Sequence, residues 1–344
     1  MNQDQMLLEV RNLKTYFFLE EGTVHAIDGA DFDIKRGEAL GVVGESGCGK
    51  SVTGQSVLRI VPNPGEIVEG EIIYYRYSER SDGTEVQEAV NLTELHPRGD
   101  EIRAIRGGEI SMVFQEPMTS LSPVHTIGQQ IMEAIILHQE VDDDEARRRA
   151  IDMLRRVGMP QPEITVDNYP HQLSGGMRQR GMIAMALSCS PSLLIADEPT
   201  TALDVTTEAQ ILQLMRDLQQ DLGMAIMFIT HDLGVIAEMT KRVAVMYMGK
   251  VVEMADVDTL FYDPKHPYTR ALLNSIPRLG QKKSERLESI KGVVPDPYNL
   301  PPGCPFHPRC ASFMPGVCNV QDVPNYTVEE GHKVRCFLYS EYGE

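Results

Sequence analysis

The chain opens in alternation. Leu8 and Val10, then Ile27, Phe32 and Ile34, stand apolar among polar neighbours, the period-two pattern of antiparallel strands. The run Ala39-Leu40-Gly41-Val42-Val43 is continuously apolar and leads into glycine-rich sequence. Two more apolar runs follow, Leu193-Leu194-Ile195-Ala196 and Ala225-Ile226-Met227-Phe228-Ile229. Between them Ile211, Leu212, Leu214, Met215, Leu218 and Leu222 mark one face of a helix. Residues 127–158 carry helical periodicity with a charged stretch from Asp142 to Arg149, whereas residues 76–100 read as a polar, irregular, exposed insertion. Continuous apolar strands alternating with helices predict an α/β fold, its parallel sheet covered on both faces. In such sheets ligands bind beyond the carboxyl ends of the strands. The three apolar runs each end on a polar signal: Gly44, Asp197 and His231.

After about residue 262 the pattern breaks. Pro264, Pro267, Pro277, Pro295, Pro297, Pro301 and Pro302 interrupt any long element, which predicts a linker and then a small module over residues 263–344. Cys304, Cys310, Cys318 and Cys336 crowd into the last 41 residues, while Cys48 and Cys189 stand alone.

Composition narrows the functional classes. The 344 residues suffice for one large domain and an appendage. Lys and Arg number 32 against 50 Asp and Glu, a formal charge of −18. So acidic a chain is a poor nucleic-acid binder, and an anionic membrane surface would repel it. Any membrane attachment is therefore expected to run through a protein partner. No run of 18 apolar residues is present to span a bilayer, and Met1 to Arg11 lacks a signal-peptide core, so the expected compartment is the cytosol. In a reducing compartment the cysteine cluster suggests metal binding more than disulfides.

The segment Gly44-Glu45-Ser46-Gly47-Cys48-Gly49-Lys50-Ser51 fits G-x-x-x-x-G-K-S without mismatch. Glycines let backbone amides wrap around phosphates, the lysine reaches the β- and γ-phosphates, and the serine hydroxyl holds Mg²⁺. The helix that follows, from Val52, aims its positive end at the anion. Cys48 fills a variable position of this loop. The loop alone leaves kinases, GTPases, helicases and transport ATPases open. Downstream, the run 194–196 ends in Asp197 and Glu198. In isolation this is an ordinary solvated pair; after a phosphate loop, Asp197 suits Mg²⁺ and Glu198 suits polarising the attacking water. Ser174 reads as a helix N-cap followed by Gly175 and Gly176, a second helix start with exposed amides.

The octapeptide Leu173-Ser174-Gly175-Gly176-Met177-Arg178-Gln179-Arg180 resembles the signature of the ABC transporter ATPases. The resemblance runs from about residue 7 to 262 and implies a P-loop NTPase core with an antiparallel β subdomain and a helical subdomain at about 116–180. It implies that Gln115 is the glutamine that contacts Mg²⁺ and water, and that Asp204 in Thr201-Ala202-Leu203-Asp204 reaches across a dimer interface. It assigns His231 to the γ-phosphate. An aromatic residue stacks on adenine in this family; spacing favours Phe17, with Tyr16 as runner-up. ATP is expected between the phosphate loop of one subunit and the signature helix of its partner.

Within the family, Pro117-Met118-Thr119-Ser120-Leu121, Gly181 to Leu187, Val245-Met246-Tyr247-Met248-Gly249, His266-Pro267-Tyr268-Thr269 and the tail Gly303 to Cys310 look like the oligopeptide/dipeptide importers. Ser122 departs from the usual asparagine, and residues 76–90 look inserted. That subfamily implies two permease subunits, a second ABC ATPase subunit, an extracytoplasmic solute-binding protein and a peripheral place on the cytoplasmic membrane face. Nickel importers share much of the pattern. Soluble ABC proteins usually carry a coiled-coil insertion or fused cassettes, and neither is present. Intact Glu198 and His231 speak against a non-hydrolysing subunit.

The four tail cysteines are separated by 5, 7 and 17 residues, unlike the paired C-x-x-C of a zinc ribbon. Four thiolates suit Zn²⁺ or an Fe–S cluster, and four unligated thiols are the plain alternative. The family resemblance favours [4Fe–4S] over zinc. His307 and His332 are read as surface residues.

Overall fold

A computed structural model describes residues 5–79, 85–115, 120–201, 203–275 and 290–342. The chain divides into two compact units. The first comprises Met1–Gln5, Lys35–Ala39 and Glu94–Ile229, and the second Met6–Ile34, Leu40–Thr93 and Thr230–Glu344.

In the first unit the strands Ile110–Val113, Leu193–Asp197 and Ala225–Ile229 lie side by side and parallel, with Met112 opposite Ile195 and Ile195 opposite Met227. Every residue of the three is buried, as a sequence apolar at all but Ser111 and Asp197 leads one to expect. Helix Val205–Leu222 buries Ile211, Leu212, Met215 and Leu218, four of the six positions expected on its inner face. The helical part of this unit contains Ile127–His138, Asp143–Arg156, Pro162–Thr165 and Gly175–Leu187. Thr126 and Gln129 form a reciprocal capping box at the first of these. Asp142 caps the second, with acids in its first turn and Arg155 and Arg156 in its last, matching the helix dipole. Glu116 to Thr119, at the expected start of the helical subdomain, and Ala202 lie outside the described residues.

The second unit holds a four-stranded sheet ordered Gly22–Lys35, Met6–Leu19, Gly65–Glu79, Glu85–Asn91. Leu8 faces Tyr74 in an antiparallel pair. The expected irregular insertion from 76 is instead partly ordered: Arg76 pairs with Glu88 and Ser78 with Val86 in an antiparallel ribbon. Its outer strand is exposed at all but Val86, Val90 and Asn91, so no buried face imposed the alternation that marks a strand in sequence. Residues 80–84 lie outside the described set.

A second group of strands in this unit includes Ala39–Val43, which pairs in parallel with Arg242–Tyr247. The latter turns through Met248 and Gly249, both at positive φ (45° and 76°), into antiparallel Lys250–Asp256. Two left-handed residues are what a tight hairpin between right-twisted strands demands. The strand His332–Val334 then pairs with Lys250–Asp256, and Tyr326–Glu329 pairs with His332–Val334. The tail after residue 262 thus contributes strands to this unit's sheet. Linker residues 276–289 are outside the described set.

That pairing corrects the reading of His332 as a surface residue. It is 2 % exposed, and its Nε2 lies 2.8 Å from Glu253 Oε1. Burial by itself would raise the Glu253 carboxyl, but His332, Thr269 and the amides of Lys265 and His266 outweigh it and hold the carboxyl below its usual range. Among the described residues no helix is long and apolar enough to cross a membrane.

Candidate nucleotide site

The phosphate loop leaves the buried strand Ala39–Val43 and enters helix Lys50–Val57. Glycine is obligatory at its two ends. Gly44 has φ 155°, and a Cβ there would lie 2.2 Å from the carbonyl oxygen of Met246. Gly49 has φ 100°, and its Cβ would lie 2.2 Å from the carbonyl oxygen of Ala26. Between them Gly47, at φ 79°, has nothing within 4 Å of such a Cβ, so the middle of the loop is open. Lys50 is 6 % exposed, its Nζ donating to the carbonyls of Gly44 (2.9 Å) and Glu45 (3.1 Å). Ser46 and Gly47 are exposed, Ser51 and Val52 half-buried. Cys48 is buried, and its burial pushes the thiol up. The Glu45 carboxylate is gripped by Arg309, and its amide donates to the Tyr268 hydroxyl (2.9 Å). Neither partner was legible as such in the sequence, because contacts spanning more than 220 residues leave no local pattern.

In the first unit the strand Leu193–Asp197 delivers a buried Asp197, 3 % exposed, and then Glu198. Glu198 stands at φ 44°, an uncommon left-handed conformation for a residue with a side chain. Its Oε2 accepts from Gln115 Nε2 (2.9 Å) and from Thr201 Oγ1 (2.9 Å). The two residues that the sequence assigned separately, Gln115 and Glu198, are therefore in direct contact. Thr201 was not singled out as a partner. Its place three residues after Glu198, in the turn closed by Thr201 N donating to Glu198 O, is the signal that would have found it.

Ser174 caps helix Gly175–Leu187, its Oγ accepting from Met177 N at 3.3 Å. Ser174, Gly175, Gly176 and Asp204 line one open concavity of about 500 Å³. Asp204 accepts from the amides of Thr206 and Thr207 and so caps helix Val205–Leu222. In the second unit His231 is exposed and precedes Asp232, whose carboxylate caps helix Leu233–Met239. Tyr16 stacks on His25, ring centroids 4.0 Å apart, and its hydroxyl donates to Asp28. Phe17 lies over Gly65, where an added Cβ would meet its Cε1 at 2.7 Å.

Comparison with known proteins bears directly on this arrangement. The ABC transporter family profile matches residues 27–201, and the profile of the oligopeptide/dipeptide transporter C-terminal region matches residues 252–318. The chain belongs to the ABC transporter ATPases. It is 51 % identical over 98 % of its length to the oligopeptide transport ATP-binding protein AppD of Bacillus subtilis, covering 98 % of that protein. It is 51 % identical to a probable peptide ABC transporter ATP-binding protein of Sinorhizobium fredii, covering 98 % of this chain and 96 % of the relative. The dipeptide transport ATP-binding protein DppD of Bacillus subtilis is 44 % identical, over 99 % of this chain and 97 % of that one. Among solved structures, a dimeric ATP-binding cassette bound to ADP and Pi aligns with TM-score 0.61 at 26 % identity, covering 73 % of this chain and 99 % of its own. This ABC transporter ATPase is an enzyme of ATP hydrolysis.

Three of the four tail cysteines of this ABC ATPase fall inside the matched C-terminal region. All four line one cavity in the second unit, which leaves about 10 Å³ for the centre of a water molecule, roughly one water. None is in a disulfide. Burial pushes Cys304 up to about 11 and Cys336 up to about 12, so unligated they are neutral thiols. Among the described residues no three His, Cys, Asp or Glu side chains are grouped so as to hold a metal ion. The expected zinc alternative and the expected metal-bound cysteines thus find no preformed single-ion site.

Proposed function

We propose that this ATPase powers uptake of di- and oligopeptides through a membrane permease. The observation that carries the reading is the pairing of an intact set of ATPase residues with the peptide subfamily's own C-terminal region over residues 252–318. Lys50 and the amides of residues 47–51 bind the ATP phosphates. Glu198, oriented by Gln115 and Thr201, takes the proton of the attacking water as general base, and His231 contacts the γ-phosphate. Ser51, Gln115 and Asp197 would hold Mg²⁺, which supplies charge neutralisation at the phosphates. Ser174, Gly175 and Gly176 face a concavity open enough to receive the ATP of a partner ATPase subunit, and Asp204 belongs to the same wall. The adenine stacks on Phe17, since one face of the Tyr16 ring is already covered by His25.

Residues 1–262 then act as the nucleotide-binding domain. The subunit sits on the cytoplasmic face of the membrane, with two permease subunits, a second ABC ATPase subunit and an extracytoplasmic solute-binding protein. The test is ATP turnover by the assembled membrane complex, challenged with short peptides and with chelated nickel. Stimulation by peptides is expected; stimulation by nickel alone would keep the mechanism and overturn the substrate.

The cysteines extend the same reading. Four unpaired thiols lining one cavity support a [4Fe–4S] cluster, the choice the family resemblance favours, with zinc as the alternative, since either takes four thiolates. Such a cluster would stabilise a tail with few buried apolar residues, Val323, Tyr326 and Val334 being its own small core. Anaerobically purified protein is expected to carry about four irons per chain. One zinc and no acid-labile sulfide would refute the cluster.

A further inference from the structure

The side chain of Arg309 is 3 % exposed, although it belongs to a proline-broken tail and carries a permanent charge. A buried guanidinium needs partners. Its principal one is the second residue of the phosphate loop: Nη1 and Nη2 donate to the two carboxylate oxygens of Glu45, at 2.7 and 3.1 Å. Two parallel charge-assisted bonds fix direction as well as distance. Nη1 also donates to the Tyr247 hydroxyl, Nε donates to the Lys291 carbonyl, and the cation lies 5.8 Å from the Tyr247 ring centre and 5.9 Å from that of Phe306.

Arg309 directly precedes Cys310, and Phe306 stands with Cys310 in the wall of the cysteine cavity. A second link runs in parallel. His266 lines the same cavity, and two residues on Tyr268, fully buried, takes the Glu45 amide on its hydroxyl. The backbone and side chain of Glu45 are thus both held by residues that adjoin the cavity wall in sequence, Tyr268 after Pro267 and Arg309 before Cys310. The Glu45 carbonyl is in turn one of the two that receive Lys50 Nζ.

We infer that Arg309 is a positioning residue for ATP binding, joining the wall of the cysteine cavity to the phosphate loop through Glu45. This rests on residues 44–51 being the ATP loop. A purely structural Arg309 would stabilise the tail and leave nucleotide affinity alone. A positioning Arg309 holds Glu45, and with it the carbonyl that orients Lys50. By linkage, anything that disturbs the cavity wall then weakens ATP binding, and bound ATP firms the wall.

The experiment uses the full membrane complex carrying wild-type subunit, Arg309→Met, Glu45→Gln or both, and reads ATP KM, kcat and melting temperature. Each single change is expected to raise KM about tenfold, the order of one hydrogen bond to a charged group, with kcat at saturating ATP near wild type. The double variant should be no worse than the weaker single one, because both remove the same pair. Unchanged KM in folded single variants, or effects that multiply in the double, would overturn the inference. Should Arg309→Met fail to fold, Glu45→Gln removes the pair from the loop side, and an unchanged KM there is equally fatal. Lys50→Ala separates the two levels: if it binds ATP as well as wild type, the phosphate-loop reading itself is at fault.

Discussion

Two glycine-rich helix starts sit in different units of this ATPase and use their glycines for different reasons. At the phosphate loop the glycines are bent: Gly44, Gly47 and Gly49 all have positive φ, and backbone atoms crowd the first and last. At the signature helix neither Gly175 nor Gly176 has positive φ; a Cβ on Gly175 would have only Leu203 near it, at 4.0 Å, whereas one on Gly176 would meet Thr207 Cγ2 at 2.8 Å. The first loop needs glycine to exist as a conformation. On the proposed function the second keeps Gly175 uncovered, so that a ligand can approach a capped helix start. One residue type in two motifs answers to backbone strain in one place and, in the other, to open space at Gly175 and close packing against Thr207 at Gly176.

The largest test of that contrast is Gly49→Ala. A Cβ 2.2 Å from the Ala26 carbonyl at φ 100° cannot be housed, so the loop must rebuild and ATP binding should disappear in equilibrium titration. A variant that binds ATP normally would show that the bend is not required.

Next comes the support beneath the phosphate-loop unit. Glu253→Gln removes the charge from a buried carboxylate that accepts from His332 and two amides, and should cost about 3 kcal/mol in denaturant unfolding. The pH dependence has a definite sign. Because the folded carboxyl titrates below its ordinary value, its contribution is complete above the ordinary carboxylate range and is lost as pH falls through the depressed value. Wild type should therefore lose stability into acid more steeply than Glu253→Gln; parallel acid curves would count against that role.

The smallest expected effect on folding is at the signature. Gly175→Ala meets open space at an ordinary φ, so unfolding free energy should stay within about 1 kcal/mol of wild type. Turnover of the assembled complex should nonetheless fall, since on the proposed function the new methyl occupies the face that receives a partner subunit's ATP. Full turnover would mean that this face is not used.

Much of this was legible in sequence for a physical reason. Buried parallel strands are continuously apolar, so Ala39–Val43, Leu193–Ala196 and Ala225–Ile229 announced themselves, and each motif hangs from the end of one of them. Exposed or long-range features did not. The strand Glu85–Asn91 has almost no buried face to imprint a period. His332 owes its burial to a pairing with Lys250–Asp256 and to Glu253, 79 residues away, which nothing local discloses. Arg309 looked like one residue of a cysteine motif; only the fold brings it to Glu45, 264 residues earlier.

The most direct measurement is single-turnover ATP hydrolysis by the peptide-stimulated membrane complex, with wild-type subunit and with Glu198→Gln. Glu198 is held by Gln115 and Thr201 and should act as the general base. Its replacement is expected to slow the chemical step about 100-fold or more while ATP still binds. A Glu198→Gln subunit that hydrolyses ATP at the wild-type rate would contradict the account.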